Sequence, residues 1–404
     1  MDSIRAHSRT LFSVGLLHAC THLYHVALLP LYLLIQRDLA LESVEKATFL
    51  VTILMIAYYL PSYLLGALAD HWNRKKLLFW GLVINALGFI ALSFAKTYPA
   101  ALAAVIISGL GGSCYHPAAT ALIARLFPVG TGKALGFIGI GASVGFFAGP
   151  IYTGWRAAVA GWRAPVLECG LFGLAVAILF WFFSEDDPAH DTSDHHREAQ
   201  KLGIPKAIYM ILGFAALAFM LRDFAGSSMA SLVSLFLQKA HGFTTVATGG
   251  ALASIFLASA ISNPLFGHLS DKNRLPWTAG VLVLSAILVF VFPFVPATWS
   301  TLVLAAYGFF FLASFPMVEA ALMESIHDAI RGRVFGLFIT IGGVLGNIAH
   351  WFVGDRVKAM GAAANSPAAF YPLYSLIAIL MLLSLSGLPL LRALRKHHLA
   401  TRTA

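Results

Sequence analysis

The sequence predicts an all-α polytopic membrane protein with twelve transmembrane helices in two pseudo-symmetric six-helix bundles. Three observations lead there. Of 404 residues, 59% are hydrophobic and 11% charged, and the mean hydropathy is +0.80. Soluble domains carry about a quarter charged residues, so that class is excluded, as are disordered and disulfide-stapled chains. The apolar residues fall into runs of the roughly 20 residues that a membrane-spanning helix needs. Finally, short motifs recur in the two halves of the chain.

The runs cover residues 11–35, 47–69, 77–95, 99–125, 133–155, 163–183, 207–237, 245–269, 276–295, 299–324, 333–354 and 370–392. The first follows Arg5 and Arg9, as in a signal peptide, but is too long for a signal core and lacks a small-residue cleavage site. It reads as a first transmembrane helix. Cys20, Cys114 and Cys169 all lie inside apolar runs and give no disulfide framework. The one long interruption, 184–206, contains Glu185, Asp186, Asp187, Asp191, Asp194 and Glu198. It separates an N-terminal bundle, 1–183, from a C-terminal bundle, 207–404, which ends in a short basic tail.

Lys and Arg residues set the orientation. If both termini are cytoplasmic, 18 fall inside and 8 outside, with Arg222 alone in mid-helix. Positive residues concentrate in cytoplasmic loops, so this places both termini in the cytoplasm of a multi-pass cell-membrane (inner or plasma membrane) protein. The net charge of +9 belongs to those loops, and no nucleic-acid partner is expected.

The repeat is visible residue by residue. Gly66-Ala67-Leu68-Ala69-Asp70 closes the second run, and Gly267-His268-Leu269-Ser270-Asp271 closes the eighth, 201 positions later. Gly132-Lys133 opens the fifth and Gly332-Arg333 the eleventh, while His116-Pro117 corresponds to Phe315-Pro316. Two similar halves in parallel are a transporter architecture.

These motifs resemble the major facilitator superfamily. Gly66-Ala67-Leu68-Ala69-Asp70-His71-Trp72-Asn73-Arg74-Lys75-Lys76 is similar to the family's G-x-L-A-D-R-x-G-R-R/K signature, departing at His71 and Asn73. Gly141, Gly145, Gly149-Pro150 and Gly154 resemble the glycine-proline antiporter motif of the fifth helix in drug exporters, with Thr153 in place of another glycine. Gly112-Ser113-Cys114-Tyr115-His116-Pro117 and a base within the seventh helix look like the fosmidomycin-resistance branch. The resemblance implies the major facilitator fold, a cavity lined by helices one, four, seven and ten, and proton-driven export of a small, often anionic compound. It also implies one working chain, a functional monomer. The fourth-helix arginine usual in drug antiporters is missing, and the only basic residue between Thr97 and Ile123 is His116.

Several residues carry the expected chemistry. Asp70 and Arg74, with Gly66 before them, and Asp271 with Arg274, pair a helix-end carboxylate with a loop arginine, suited to gating. Gly145, Gly149 and Pro150 permit close packing and a kink. His18, His22 and His25, at i, i+4 and i+7, share one helix face, which belongs in the bundle interior because imidazoles facing lipid are costly. By helix rise, His18, His116 and Glu319 fall at similar depth. The proton-coupling candidates are His18, His22, His116, Asp223 and Glu319, since imidazoles titrate near neutrality and ionisable groups at mid-membrane are usually functional. The substrate-binding candidates are His22, His25, Tyr115, His116, Arg222 and Asn347. Arg222 is suited to an anion, and as a sequence neighbour of Asp223 it points about 100° away from it, which predicts a poor pair. Glu168, and His350 with Asn347, read as ordinary interhelical hydrogen bonds.

A metal site on His18, Cys20 and His22 fails because Cys20 lies about 200° around the helix from His18, and no metal is assigned. No catalytic or cofactor-binding motif occurs, so neither enzyme activity nor a cofactor is expected. The expected partners are a small-molecule substrate, protons and the lipid bilayer. An importer that couples protons to an organic anion uses the same residues in the other direction. A transition-metal transporter and a non-transporting receptor or scaffold rank below both.

Overall fold

The computed structural model describes residues 2–62, 64–65, 72–186, 206–326 and 331–403, and no strand occurs among them. Eleven helical stretches are long and apolar enough to cross a membrane: Ala6–Asp38, Arg74–Phe94, Tyr98–Leu126, Thr131–Ala160, Arg163–Phe183, Ile208–Ala240, Thr245–Ser270, Arg274–Phe294, Ala297–Glu324, Val334–Asn365 and Pro367–His397. The helix Val44–Tyr59 lies between the first two. Counting it second, they are spans 1 to 12, matching the twelve predicted runs in order. Gly66 and Asp70 lie outside the described residues, as does most of the acidic linker.

The spans bend where the sequence removes backbone donors. Pro30 interrupts span 1 between Asp2–Val26 and Tyr32–Asp38. The carbonyls exposed at the break find partners on span 7: Ser234 Oγ donates to Leu29 O at 2.5 Å and Gln238 Nε2 to Pro30 O at 3.3 Å. Such re-pairing is what a break at membrane depth requires. Span 4 divides into Tyr98–Gly112 and Tyr115–Leu126 just before His116-Pro117. Span 10 divides into Ser300–Phe311 and Ser314–Glu324 just before Phe315-Pro316. The repeat read from the sequence therefore reappears as the same break in each half.

Spans 1–6 and 7–12 meet along two seams, span 2 on span 11 and span 5 on span 8. We call the face where span 1 begins the N-terminal face and its opposite the far face. The far-face ends are bolted together. Glu45 accepts from Lys358 Nζ at 2.6 Å and from Trp351 Nε1 at 2.8 Å. Thr52 Oγ1 donates to Asn347 O at 3.2 Å and accepts from Trp351 N at 2.8 Å. Tyr32 Oη meets Ser231 Oγ at 2.8 Å, and Thr245 Oγ1 donates to Gly154 O at 2.9 Å. Toward mid-depth the seams continue as the Phe146–Phe256 stack, 4.8 Å between centroids, and as Gly343 against the Tyr59 ring. Nearer the N-terminal face, Leu60 and Leu64 on span 2 and Ile261 and Leu265 on span 8 are exposed. Among the described residues, every hydrogen bond between the halves lies at the far face or toward mid-depth, so the halves are fastened there and not at the N-terminal face.

The glycines of span 5 explain how closely its neighbours approach. A Cβ on Gly141 or Gly145 would strike the carbonyls of Gly15 and Ala19 on span 1, and one on Gly154 would strike the Thr245 carbonyl on span 8. Gly249 meets Pro150 O in the same way. The predicted helix-five motif thus packs against both span 1 and the opposite half. Backbone clashes cannot be relieved by a rotamer change, whereas a solvent-screened ion pair contributes little. Gly154→Leu is therefore expected to destabilise the closed far face by about 1–3 kcal/mol. Its labelling by a thiol reagent, at a cysteine introduced beside Gln238, should rise well above that caused by Glu45→Gln. Equal labelling in the two variants would show that the ion pair, not the glycine contact, holds the seam.

Candidate functional site

His18, His22, His25 and His116 form one cluster in the first half. The i, i+4, i+7 spacing brings the span 1 imidazoles into direct contact: His18 Nε2 and His22 Nε2 are 2.9 Å apart, and His22 Nδ1 and His25 Nδ1 are 3.2 Å apart. His116, half-buried, stands edge-on to His18 at 5.3 Å and 5.7 Å from the His22 ring. The depth estimate that paired His18 with His116 holds. His18 Nδ1 lies 2.8 Å from Ile138 O, and since a carbonyl only accepts, that nitrogen carries a proton. With every ring neutral, the remaining tautomers follow. His22 Nε2–H donates to the bare His18 Nε2, and His25 Nδ1–H donates to the bare His22 Nδ1. His25 Nε2 is left as a buried acceptor, and it has no hydrogen-bond partner.

The second half contributes Arg222, Asp223 and Glu319. Arg222 is 2% exposed. It donates from Nε to Asp223 Oδ1 at 2.9 Å, with Nη2 2.8 Å from the same oxygen, and from Nη1 to Ser314 O at 3.4 Å. The Phe315 ring lies under the guanidinium, 3.9 Å from its centroid. The poor pair expected for sequence neighbours is therefore corrected: the long arginine side chain folds back onto the next residue's carboxylate. Asp223 fits because Gly342 and Gly346 on span 11 leave room for it, and a Cβ at either would touch it. Glu319 is half-buried and within electrostatic reach of both Arg222 and Asp223.

Tyr59, which the sequence reading passed over, packs its ring on Gly343 from the other half and lies within electrostatic reach of Asp223 and Glu319. It sits on span 2, outside the four spans expected to line the cavity, and the paired Tyr58-Tyr59 in an apolar run was its only signal. Phe146 was also missed; it lies 4.2 Å from the His22 ring and stacks on Phe256.

Of the other expected residues, Tyr115 joins the histidine cluster and the rest lie elsewhere. Tyr115 is buried, donates to Val14 O at 3.1 Å and stacks on His18. Asn347 is buried in the span 7–span 11 contact, where its Oδ1 accepts from Ser227 Oγ at 3.3 Å and from His350 Nε2 at 3.1 Å. His350 Nδ1 is in turn 2.7 Å from Ser231 Oγ. Glu168 accepts from Tyr152 Oη and Arg156 Nε, linking spans 5 and 6 as predicted. At the N-terminal face Arg274 bridges Asp271, 3.1 Å, and Glu324, 2.7 Å, tying the span 8–span 9 turn to span 10 within the second half. Arg74 is buried at the start of span 3, where Asn73 Oδ1 caps the helix by accepting from Lys76 N.

Two bundles around mid-depth ionisable residues invite comparison with known transporters. Residues 13–350 match the profile of the Major Facilitator Superfamily. The chain belongs to this superfamily. It is a multi-pass membrane transporter, not an enzyme. Multidrug resistance protein 1 of Bacillus subtilis is 24% identical over 74% of this chain and 78% of its own length. The multidrug resistance protein MdtG of Proteus mirabilis is 28% identical over 82% and 84%, and the fosmidomycin resistance protein of Escherichia coli 21% over 91% of each. A bacterial homologue of the human lysosomal transporter Spinster, solved in an inward-facing, unoccupied conformation, superposes with a TM-score of 0.72 at 18% identity, covering 98% of this chain and 97% of that one. This last likeness establishes the major facilitator fold.

Removing Arg222 alone strands Asp223 in a low-dielectric interior. Arg222→Met is expected to cost about 3–5 kcal/mol in unfolding, and Arg222→Met with Asp223→Leu to recover most of it. Thermal melts in detergent test this; a double variant no more stable than the single would mean the two residues do not act as a pair.

Proposed function

We propose that the protein is a proton-coupled exporter of small drug-like organic compounds, neutral or cationic, acting as a single chain. The observation that carries this reading is the charge count in the second half: two carboxyl groups, Asp223 and Glu319, lie within reach of one buried guanidinium, which bonds Asp223. Asp223 is paired with Arg222, so Glu319 is the group left to bind a proton or a substrate. The excess of basic residues on the N-terminal face argues that this face is cytoplasmic, and halves fastened at the far face then open inward.

An anionic substrate, expected from the family resemblance and from Arg222 and the histidines, fits less well. Arg222 is buried and already neutralised. An anion that displaced Asp223 from it would favour protonation of Asp223, so proton and anion would bind together. A neutral donor or a cation instead competes with the proton at Glu319, and competition for one site is what antiport requires. The relatives named as multidrug resistance proteins support export. In the cycle, a proton entering from outside neutralises Glu319 and permits inward opening. Cytoplasmic substrate replaces it, and rocking of the halves about the glycine seams carries the substrate outward.

The test uses proteoliposomes containing a pH-sensitive dye, an imposed proton gradient, and a panel of cationic, neutral and anionic compounds. A neutral or cationic compound should trigger proton flux opposite to its own movement. Glu319→Gln should abolish that flux by at least about tenfold while leaving substrate exchange measurable. Proton flux in the same direction as an anionic substrate, or full coupling in Glu319→Gln, overturns the reading.

A further inference from the structure

We infer that His18, His22 and His116 form a binding site for one divalent ion of the imidazole-preferring class, Zn2+ or Ni2+. One ligand nitrogen from each residue lies within 4.8 Å of the others. Metal–nitrogen bonds of about 2.0–2.1 Å place neighbouring nitrogens of a tetrahedral shell roughly 3.3 Å apart. The His18–His22 pair, at 2.9 Å, has to open by a few tenths of an ångström. His116, half-buried on a separate span, has to swing inward by up to about 1.5 Å. Both are movements on the scale of a side chain.

The surrounding hydrogen bonds favour an ion. His18 Nδ1–H is committed to Ile138 O, which fixes the tautomer whose free Nε2 faces His22 and His116. A carbonyl holding the far nitrogen of a ligand ring is the usual support of a metal-bound histidine. His22 can present a free Nε2 as well. Its proton moves to Nδ1, which then donates to His25 Nδ1, and the His25 proton moves to Nε2. The relay inverts, and no proton enters or leaves it. His25 thereby supports His22 as Ile138 supports His18, which gives a role to a buried imidazole whose outer nitrogen is otherwise unpartnered. The Tyr58 ring stands edge-on to His25, 4.3 Å between centroids, and its hydroxyl is also buried without a hydrogen-bond partner.

Three neutral imidazoles leave a fourth coordination position open. Cys20, the residue that made the sequence pattern unworkable, is not needed, because the third nitrogen comes from span 4. All three ligands belong to the first half, so an ion bound there stays in place when the halves rock.

The test is ion binding by the purified, untagged protein, read by Zn2+ titration calorimetry and by the visible absorption of Co2+ as a substitute. It needs neither a transport substrate nor a proton gradient, so it stands or falls apart from the export reading. One ion per chain is expected for the wild type. His22→Ala and His116→Ala should each lose it, and His25→Ala should weaken it by about tenfold. Melts without metal establish that the variants fold. If His22→Ala does not fold, His116→Ala decides alone, since that residue lies outside the relay. No saturable binding by the wild type, or undiminished binding by His116→Ala, overturns the site.

Discussion

A guanidinium buried at mid-membrane is the constraint around which the second half is built. Arg222 cannot lose its charge, and it is almost wholly removed from solvent. Desolvating such a cation costs several kcal/mol unless an anion and hydrogen-bond acceptors surround it. Its neighbours meet that demand. Asp223 supplies the anion, the Ser314 carbonyl an acceptor, and the Phe315 ring a π-face. Ser314 and Phe315 open the second segment of span 10, directly after its break, so that break helps to neutralise Arg222 besides bending a helix. Gly342 and Gly346 on span 11 are small because Asp223 occupies the space beside them.

The seams between the halves obey a different rule. In lipid no hydrophobic force drives apolar helices together, and close packing with backbone-directed hydrogen bonds takes its place. Span 5 places Gly141, Gly145 and Gly149 against span 1 and Gly154 against span 8, so a single glycine-rich helix serves as packing partner within its half and as contact surface across it. The hydroxyls of Thr52, Ser234 and Thr245 accompany these contacts by bonding backbone carbonyls of the opposite half. Such bonds are individually modest and can be exchanged, which suits a contact that has to open and reclose.

The fold was legible because its signals are long and redundant: twelve apolar runs, an alternation of basic loops and a repeat that returns the same proline break in both halves. The span 1 histidines were legible too, since helical spacing alone puts them on one face. What spacing could not supply was side-chain reach. Successive helical positions diverge, which argued against an Arg222–Asp223 pair, but an arginine is long enough to fold back across that angle. Nor could it show which residues of other spans enter the cluster. Tyr59 comes from a span thought to lie outside the cavity, and Asn347 proved to be engaged in a helix contact. Both depend on how helices are rotated against each other, which a single sequence does not encode locally.

The two halves also answer the problem of burying polar groups in opposite ways. The second half neutralises fixed charges with one another, and because two acids share one base, its balance changes whenever a proton or a cation arrives. The first half uses groups that need carry no charge. Its histidines form a chain anchored at one end by a carbonyl, so a single tautomer choice propagates from His18 to His25 and leaves its mismatch at a buried nitrogen. A chain of that kind can reverse direction without gaining or losing a proton, and so it can accommodate a neutral donor or a metal ion in the same pocket. The sequence repeat made two similar scaffolds, while the side chains at their centres diverged into one half that counts charge and one that tolerates it.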